Sequence, residues 1–277
     1  MSKRKAAVEG RFYPSSKRKI FDQIREIESA ARYPEADIRP ESIYGAVLPH
    51  AGHIYSGPQT IPFFQLLRKQ EKFPATFVIV HPNHTGQGLP LAVDDAHMWV
   101  NDVGEVPLDR EFALEMGLPF DGKAHAREHA AEVIIPYLQY YLEDHFFSIV
   151  PVCMGNQGYD QAVLVAEKIH ETATRTGREI MVLASCDFSH FLPPGEGRKK
   201  DQYVVDEILA RNPKGVEDAV NDHRVSVCGY GPIMALMSYT AMINPGYLIR
   251  ILARGNSGDV SPSPEVVDYI SMILYRC

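Results

Sequence analysis

Basic clusters, closely spaced cysteines and long apolar runs are all scarce in this sequence. Its 277 residues carry 28 lysines and arginines against 35 aspartates and glutamates, a formal net charge of −7. Nucleic acids and anionic membranes are recognised through concentrated positive charge, so we expect neither as a partner. The basic amino terminus lacks a signal peptide's apolar core, and no stretch offers the roughly 18 to 20 apolar residues that span a bilayer. These absences predict a cytoplasmic protein whose partner is a small molecule or another protein.

Cysteine is used sparingly and without a recognisable framework. The four cysteines are far apart and none of them forms a C-x-x-C pair: Cys153, Cys186, Cys228 and Cys277. This spacing favours neither a disulfide scaffold nor a zinc knuckle. A cysteine with a chemical role is therefore expected to act singly.

Apolar runs typical of buried strands alternate with segments of helical periodicity. Hydrophobic residues make up 45% of the chain, enough to bury a large core, and strands that are apolar on both faces are typical of a parallel sheet covered on both sides. We predict an α/β fold with one domain over residues 1–277, a mostly parallel central sheet and helices on both faces. Strands are predicted at residues 44–50, 75–81, 146–152, 178–185 and 247–254. Helices are predicted at residues 15–31, 57–70, 128–144, 162–173, 200–211, 229–243 and 264–274, with a hairpin within 85–108.

Side chains that bind metals or protons follow three of the predicted strands, at the point where each strand ends. In open α/β sheets, ligands bind beyond the carboxyl ends of the strands. A single histidine there is commonly a hydrogen-bonded loop residue, but the agreement of three strand ends favours a shared site. The segments are PHAGHIYSG with His50 and His53, HPNHTG with His81 and His84, and CDFSHF with Asp187 and His190.

A metal site is the chemistry that these residues suit. Neutral imidazole is the commonest nitrogen ligand for iron, copper and zinc, and two histidines with one anionic ligand leave positions open for a substrate. Cys228, in SVCGYGPI, is a candidate third ligand because it precedes a predicted helix, whose amino terminus favours the thiolate. Gly229 and Gly231 allow the backbone to approach a neighbouring group. The alternative interpretation of Cys228 is a small buried core residue.

Five motifs occur together in one order along the chain. They are PHAG followed by YSG, P-N-H-T-G, SCDFSHF, C-G-x-x-P and NSGDVS, and RKAAVEGRFYP precedes them near the amino terminus. Together these motifs resemble the Memo family over nearly the whole chain. The resemblance implies a fold similar to the class III extradiol dioxygenases, the LigB-like non-haem iron enzymes, with a pocket at the carboxyl ends of the strands.

The resemblance also implies a set of site residues. It makes His50, His84 and Cys228 the metal ligands, with Asp187 and His190 in the same pocket. The dioxygenases hold iron(II) with two histidines and a glutamate, and a thiolate in place of that carboxylate softens the site, so iron(II) is the favoured ion while copper or zinc is an alternative. His190 resembles the acid–base histidine of the dioxygenases, and Asp187 is expected to orient His190 or a metal-bound histidine.

Four further residues are candidates for the pocket lining. His53 and His81 stand where the family pattern usually has tyrosine and glycine, and each is either an extra pocket group or a neighbour that points away. His129, in REHAAEVIIP, is expected to line the pocket, whereas Glu132 is expected to support the helix or hold another site residue. Asp259, in GNSGDVS, is expected to hold backbone amides near the site.

Three function classes remain open. The first is a metal-dependent oxidoreductase acting on a small aromatic molecule, in which His190 shuttles the proton. The second is a non-enzymatic module that keeps a dioxygenase-like pocket for binding a peptide or protein. The third is a hydrolase with Cys228 as nucleophile, His190 as base and Asp187 as orienter, which leaves the strand-end histidines without a role.

Fold likeness alone does not establish catalysis. The sequence therefore predicts a redox-active metal-binding protein of Memo type, with the reaction left open. The resemblance further implies a radical-SAM protein and an AMMECR1-like protein as partners.

Overall fold

The computed structural model describes residues 1–34, 36–70 and 72–277. Within these ranges the helices are α1 (Lys17–Ser29), α2 (His53–Arg68), α3 (Arg110–Glu115), α4 (Ile135–Tyr141), α5 (Tyr159–Thr176), α6 (Pro194–Leu209), α7 (Pro213–Asp222) and α8 (Tyr230–Ile243). The strands are β1 (Lys3–Lys5), β2 (Ser42–Leu48), β3 (Thr76–Pro82), β4 (Leu91–Val93), β5 (Met98–Asn101), β6 (Gly104–Pro107), β7 (Ser148–Met154), β8 (Ile180–Ser185), β9 (His190–Leu192), β10 (Leu248–Asn256) and β11 (Val266–Arg276).

One large mixed sheet organises the chain. Its strand order is β10-β11-β2-β8-β3-β7-β4, and β9 pairs with β11 beside this path. The four middle strands, β2, β8, β3 and β7, are parallel to one another, whereas β10, β11 and β4 join antiparallel. The predicted α/β fold is confirmed, and its parallel character is concentrated in these four middle strands.

The middle strands are buried on both faces because their side chains alternate between two cores. Every residue of β3, β7 and β8 is buried. Along β3, Val78 and Val80 pack into one core, whereas Phe77 and Ile79 pack into the other, as the two-residue period of a strand requires. Helices α5, α7 and α8 cover the first core, and α1, α2 and α4 cover the second. The carboxyl ends of the four parallel strands therefore meet at one edge.

The helix predicted at residues 264–274 is wrong. This segment forms β11, which lies between β10 and β2. Ile270, Met272 and Leu274 enter one core while Ile273 and Tyr275 enter the other, so the pattern has a period of two. The β-branched residues of VVDYISMILYR also favour a strand. Its uninterrupted apolar character hid the period, because both faces are buried.

Other boundaries differ more modestly from the sequence predictions. The helix predicted at 128–144 is a 3-10 turn over Glu132–Ile134 followed by α4. Helix α6 begins at Pro194, earlier than predicted. The predicted hairpin is confirmed as β5 and β6, but it joins β1 in a separate three-stranded sheet. Among the helices of the described ranges, none is both long and apolar enough to cross a bilayer.

Candidate metal centre

His50, His84 and Cys228 meet at the carboxyl edge of the parallel strands. His50 follows β2, His84 follows β3 and Cys228 precedes α8. One donor atom from each lies within 4.8 Å of the other two, and Cys228 Sγ is 3.2 Å from His50 Nε2. His50 is buried, whereas the side chain of His84 is 31% exposed. The three residues therefore form a compact cluster that is reached from the solvent on the His84 side.

Both histidines are oriented through their Nδ1 atoms. His50 Nδ1 lies 2.7 Å from Ser185 Oγ, and that hydroxyl donates its hydrogen to the carbonyl of Ala130 at 2.7 Å. The hydroxyl must therefore accept the Nδ1 hydrogen of His50. His84 Nδ1 lies 2.9 Å from a carboxylate oxygen of Glu128, which only accepts. In its neutral form each ring thus carries its hydrogen on Nδ1 and has an unprotonated Nε2 for a metal.

Cys228 is brought to the cluster by a close backbone approach. A Cβ atom at Gly229 would lie 2.3 Å from the carbonyl oxygen of Ser185 at the end of β8, so only glycine allows this packing. A Cβ at Gly231 would likewise lie 2.8 Å from Gln157 Cβ. The amide of Gln157 also donates to the Cys228 carbonyl at 2.7 Å. The expected function of both glycines is confirmed by these distances.

The charges of the cluster favour a thiolate beside imidazolium rings in the absence of metal. Burial opposes ionisation of Cys228, but hydrogen bonding from Cys186 and the charge of His50 outweigh it and lower the pKa of Cys228 well below its usual range. Burial also opposes protonation of His84, but hydrogen bonds to Cys228 and Glu128 raise the pKa of His84 to about 10. A metal ion binding here would displace these protons. Two imidazoles and one thiolate form a donor set that fits iron, copper or zinc.

Glu128 is the main site residue that the sequence analysis missed. Its two oxygens accept the backbone N–H groups of His84 at 2.6 Å, His129 at 2.9 Å and Ala130 at 3.0 Å, in addition to the His84 ring. These bonds and the nearby imidazoles outweigh burial and lower the pKa of Glu128. With His84 and His129 it forms a second group of metal-ligand atoms. Its position immediately before His129 was the signal in the sequence.

His129 lies against the cluster, where the sequence analysis expects it. Its ring centroid is 4.6 Å from that of His84 and 5.3 Å from that of His50. Phe12 contacts its ring at 4.8 Å between centroids. Burial and the charge of His50 lower the pKa of His129 to about 3. A neutral His129, backed by Phe12, therefore forms a wall beside the cluster.

Asp187 and His190 lie near the cluster but have different partners from those of a catalytic triad. Asp187 Oδ1 accepts the backbone N–H of His50 at 2.8 Å. The Nδ1 atom of His190 donates to the carbonyl of Ser226 at 2.8 Å, which leaves its Nε2 unprotonated in the neutral ring. Cys228 has the imidazoles of His50 and His84 as its neighbours. Asp187 thus binds the backbone of a predicted metal-binding histidine, and a role in orienting the ring of that histidine stays a prediction.

His53 and His81 point into the protein interior, and both are fully buried. His53 Nε2 donates to the carbonyl of Val133 at 2.9 Å, and its ring lies between Tyr13 and Tyr137. His81 lies 2.9 Å from the Pro82 carbonyl through Nδ1 and 3.2 Å from His125 through Nε2. Of the two interpretations given above, the structure favours neighbours that point away, and it corrects their place in the pocket lining.

Asp259 and Glu132 each hold backbone amides at some distance from the ligand atoms. Asp259 is exposed in a 3-10 turn, where it accepts the N–H of Asn256 at 3.0 Å and caps that turn. Glu132 is buried and accepts hydrogen bonds from Arg4 at 2.7 Å and Tyr13 at 2.9 Å. It also accepts the N–H of Ala7 at 2.8 Å. Glu132 thereby fixes the amino-terminal segment that carries Phe12.

Two wide surface grooves lie away from this cluster. Two open grooves of about 670 and 680 Å³ are lined by residues at the starts of β2, β8, β3 and β7, including Tyr44, Ile180 and Thr76. They are at the amino ends of the strands, and neither contains the ligand groups described above. Size alone therefore does not locate the candidate site.

This fold is shared with a solved structure. The crystal structure of uncharacterized protein JW3007 from Escherichia coli K12 aligns with a TM-score of 0.56 and 16% sequence identity, covering 83% of this chain and 99% of that chain. At this identity the likeness supports the fold alone.

Sequence relatives extend along the whole chain. A profile of Memo-like proteins matches residues 4–273. A MEMO1 family protein of Archaeoglobus fulgidus is 39% identical over 270 residues, which cover 96% of this chain and 97% of that protein. A MEMO1 family protein of Methanococcoides burtonii is 36% identical over 275 residues, which cover 98% and 99% of the two chains. The chain therefore belongs to the Memo family.

Proposed function

We propose that this protein holds one transition-metal ion through His50, His84 and Cys228. The observation that carries the proposal is the convergence of the three donor atoms within 4.8 Å, with Nδ1 of each imidazole already occupied by a hydrogen-bond partner. A histidine that lies on the surface by chance does not combine these two features: one ring nitrogen fixed by a hydrogen bond, and the other ring nitrogen facing a thiol. Iron(II) is the favoured ion, with copper or zinc as alternatives, because a thiolate beside imidazoles suits all three.

We further propose that the site is redox-active toward a small aromatic molecule. When bound, such an ion would supply Lewis acidity and, as iron or copper, one-electron chemistry. The protein's own groups would divide the remaining tasks. His190 Nε2, unprotonated while Nδ1 donates to Ser226, would accept a proton from a phenolic hydroxyl, and Asp187 would hold His50 in place. Phe12 and neutral His129 would exclude water from one side.

Metal analysis of protein purified without oxygen, followed by oxygen-uptake assays with catechol-like substrates, tests this function. We expect about one metal ion per chain and measurable uptake. His190→Asn should keep the metal and lower turnover by about 10²-fold or more, the typical contribution of acid–base catalysis. His145→Asn, at an exposed histidine, is the matched control. Metal-loaded protein without uptake on any such substrate would make it a binder rather than an enzyme.

A peptide- or protein-binding module is the second candidate. It is favoured by Phe191, which follows His190 directly and is 69% exposed, as an aromatic contact for a partner. This candidate predicts that Phe191→Ala weakens peptide capture while His50→Ala leaves it unchanged. If the protein is instead an oxidoreductase, His50→Ala should abolish turnover and Phe191→Ala should leave turnover unchanged.

The hydrolase alternative has less support, because Cys228 has His50 as an imidazole neighbour and Asp187 binds the His50 backbone. It predicts a covalent acyl adduct on Cys228 with an activated ester, which mass spectrometry of the intact protein detects. We expect no such adduct.

The cellular setting is proposed from the family resemblance. We propose a cytoplasmic protein that works with a radical-SAM protein and an AMMECR1-like protein, and without nucleic acid or membrane partners. Affinity purification from co-expressing cells should recover both proteins with the intact chain. Failure to recover either one would remove the support for this partnership while leaving the metal site unaffected.

A further inference from the structure

A second buried network holds the segment that carries Asp187 and His190. Asp201 lies on α6 and Asp268 lies on β11, and both side chains are buried. Asp201 Oδ1 accepts the N–H of Ser189 at 3.0 Å and its hydroxyl at 2.6 Å. The backbone of Asp268 donates to the Ser189 carbonyl and accepts the N–H of Phe188, both at 2.9 Å. Four hydrogen bonds thus hold Phe188 and Ser189, between the two candidate catalytic residues.

The second oxygen of each carboxyl group is an anomaly. Oδ2 of Asp201 and Oδ2 of Asp268 are both buried without a donor among the described residues. Two ionised carboxylates in contact would repel each other and remain desolvated, which is costly inside a protein. If one carboxyl is protonated, the two side chains hydrogen-bond to each other. A single proton on the pair would therefore replace this repulsion with a hydrogen bond between the two side chains.

We propose that Asp201 and Asp268 share one proton and that this proton-linked pair positions His190 by holding the Phe188–Ser189 segment against β11. The catalytic consequence rests on the function proposed above for His190. We call the Asp201–Asp268 pair, with its hydrogen bonds to Phe188 and Ser189, the brace. The segment requires this support because Phe191 adopts a left-handed backbone with φ of 57°, a conformation that is strained for a bulky residue. Strand β9 is also short, and only His190 and Leu192 pair with β11.

The groups around the pair favour a proton over a metal cation. Arg198 on α6 and Arg254 on β10 are the cations that act on Asp268, and Arg254 also acts on Asp201. Burial, followed by the hydrogen bond and charge of Asp201, raises the pKa of Asp268 to about 8, whereas the two arginines lower it. Burial also raises the pKa of Asp201, opposed by the hydrogen bonds from Ser189 and Asp268. Tyr269 on β11 is a further titratable neighbour, and the charges of Asp187 and Asp268 help to raise its pKa after burial, the main cause.

The brace is therefore expected to open as the pH rises. Loss of the shared proton leaves two buried negative charges in contact, and their repulsion would release the Ser189 contacts. Above the pKa of the pair, the open fraction should increase about tenfold for each pH unit, as a one-proton linkage requires. Below it, His190 should stay in place.

Amide hydrogen exchange of the full-length protein between pH 6.5 and 9.5 tests the brace directly. Protection factors, corrected for intrinsic exchange, should fall about tenfold per pH unit above pH 8 for the amides of Phe188 and Ser189. The Ala96 amide, which donates to the buried carboxyl of Asp94 at 2.9 Å, is the internal control and should not change in this way. Constant protection of Ser189 up to pH 9.5 would overturn the proposal.

The variant Asp268→Asn separates a shared proton from ordinary packing. Its amide can donate permanently to Asp201, so we expect normal protection at pH 7 and no loss at pH 9.5. Asp201→Asn, in which the side-chain carbonyl still accepts from Ser189, provides a second variant and should behave in the same way. A pH-dependent loss that persists in both variants would contradict the proposal. Protection that requires added Mg²⁺ or Ca²⁺ would do so too, because a cation would then replace the proton.

Oxygen-uptake profiles separate this proposal from the proposed function. If His190 transfers the proton, Asp268→Asn should extend the alkaline limb of the turnover profile with unchanged metal content. If amide hydrogen exchange follows the prediction but Asp268→Asn has no effect on the turnover profile, the brace is supported and the role of His190 is refuted. Exchange that is independent of pH would refute the brace whatever the activity.

Discussion

Three short segments each supply one histidine to the metal cluster or its wall and a second histidine to the interior. Within each segment the two residues are three or four positions apart, yet their surroundings differ completely. The pairs, with the cluster residue first, are His50 with His53, His84 with His81, and His129 with His125.

The difference shows that the pKa of a histidine is determined by the groups that its ring contacts, rather than by its place in a motif. His84 faces Cys228 and Glu128, and these hydrogen bonds raise its pKa despite burial. In the interior, burial lowers the pKa of His53 to about 4, and that of His81 and His125 to about 3. His50 and His84 are prepared for exchanging protons with a metal, whereas the interior histidines, and also His129 in the wall beside the cluster, are held neutral.

Replacing the cluster histidines should have the largest effect. We expect His50→Ala and His84→Ala to lose nearly all bound metal after dialysis, since each removes a ligand and leaves too few to retain the ion. His53→Phe, at an interior position, should retain the metal. Inductively coupled plasma mass spectrometry measures the content, and circular dichroism verifies folding. Equal metal in folded His50→Ala and unchanged protein would refute the ligand assignment.

Acid should destabilise the interior set. A histidine whose folded pKa is lowered contributes stability that is present above its unfolded pKa, about 6.5, and is lost as the pH falls toward the folded value. For His53, whose Nδ1 is buried without a partner among the described residues, the free energy of unfolding should fall by up to about 1.4 kcal/mol per pH unit between pH 6.5 and 4. Denaturation at a series of pH values measures this slope.

His53→Phe is the matching variant for the acid experiment. It should make the slope shallower by up to about 1.4 kcal/mol per pH unit, because one titrating group is gone. At pH 7 we expect a cost of about 1 kcal/mol from the lost hydrogen bond to Val133. An unchanged slope would mean that His53 is not neutral in the folded protein.

Glu128→Gln should weaken metal binding without abolishing it. The variant keeps an acceptor for His84 Nδ1 but loses the negative charge that makes the ring a better ligand. Changes of this kind lower metal affinity by about 10- to 100-fold. Competition with a chromophoric chelator measures the affinity, and Glu171→Gln, at an exposed glutamate, is the control. Identical affinities for the Glu128→Gln and Glu171→Gln proteins would remove Glu128 from the site.

Among the variants that weaken metal binding, Ser185→Ala should have the smallest effect on metal affinity. The variant loses the hydroxyl that links His50 Nδ1 to the Ala130 carbonyl, and we expect a cost of about 1 to 3 kcal/mol in stability because two buried groups lose their partner. Metal affinity should fall by about tenfold as the His50 ring loses its fixed orientation. Chemical denaturation and the chelator assay measure the two effects separately.

The parallel strands and their exits were predictable from sequence because they depend on local patterns. Runs such as ATFVIVH mark buried strands, and their ends locate His50 and His84 without knowledge of the fold. Strand β11 was missed because its two buried faces mask the period of two. Glu128 and Ser185 were missed because their importance depends on contacts with His84 and His50, which lie 44 and 135 positions away in sequence.

The motifs also could not predict that the side chains of His53 and His81 point into the protein interior. Each shares a segment with a cluster histidine, and the local sequence allows either direction. Helix α2 begins at His53 and His81 lies inside β3, so the regular geometry of these elements directs both rings into the core. Sequence reasoning left both directions open, and tertiary packing decided between them.

X-ray absorption spectroscopy of the metal-loaded protein tests the central claim most directly. A site formed by His50, His84 and Cys228 predicts one sulfur and two imidazole nitrogens among the nearest scatterers, with the sulfur lost in Cys228→Ser and unchanged in Cys153→Ser. A metal shell without sulfur, or one that keeps its sulfur in Cys228→Ser, would contradict it.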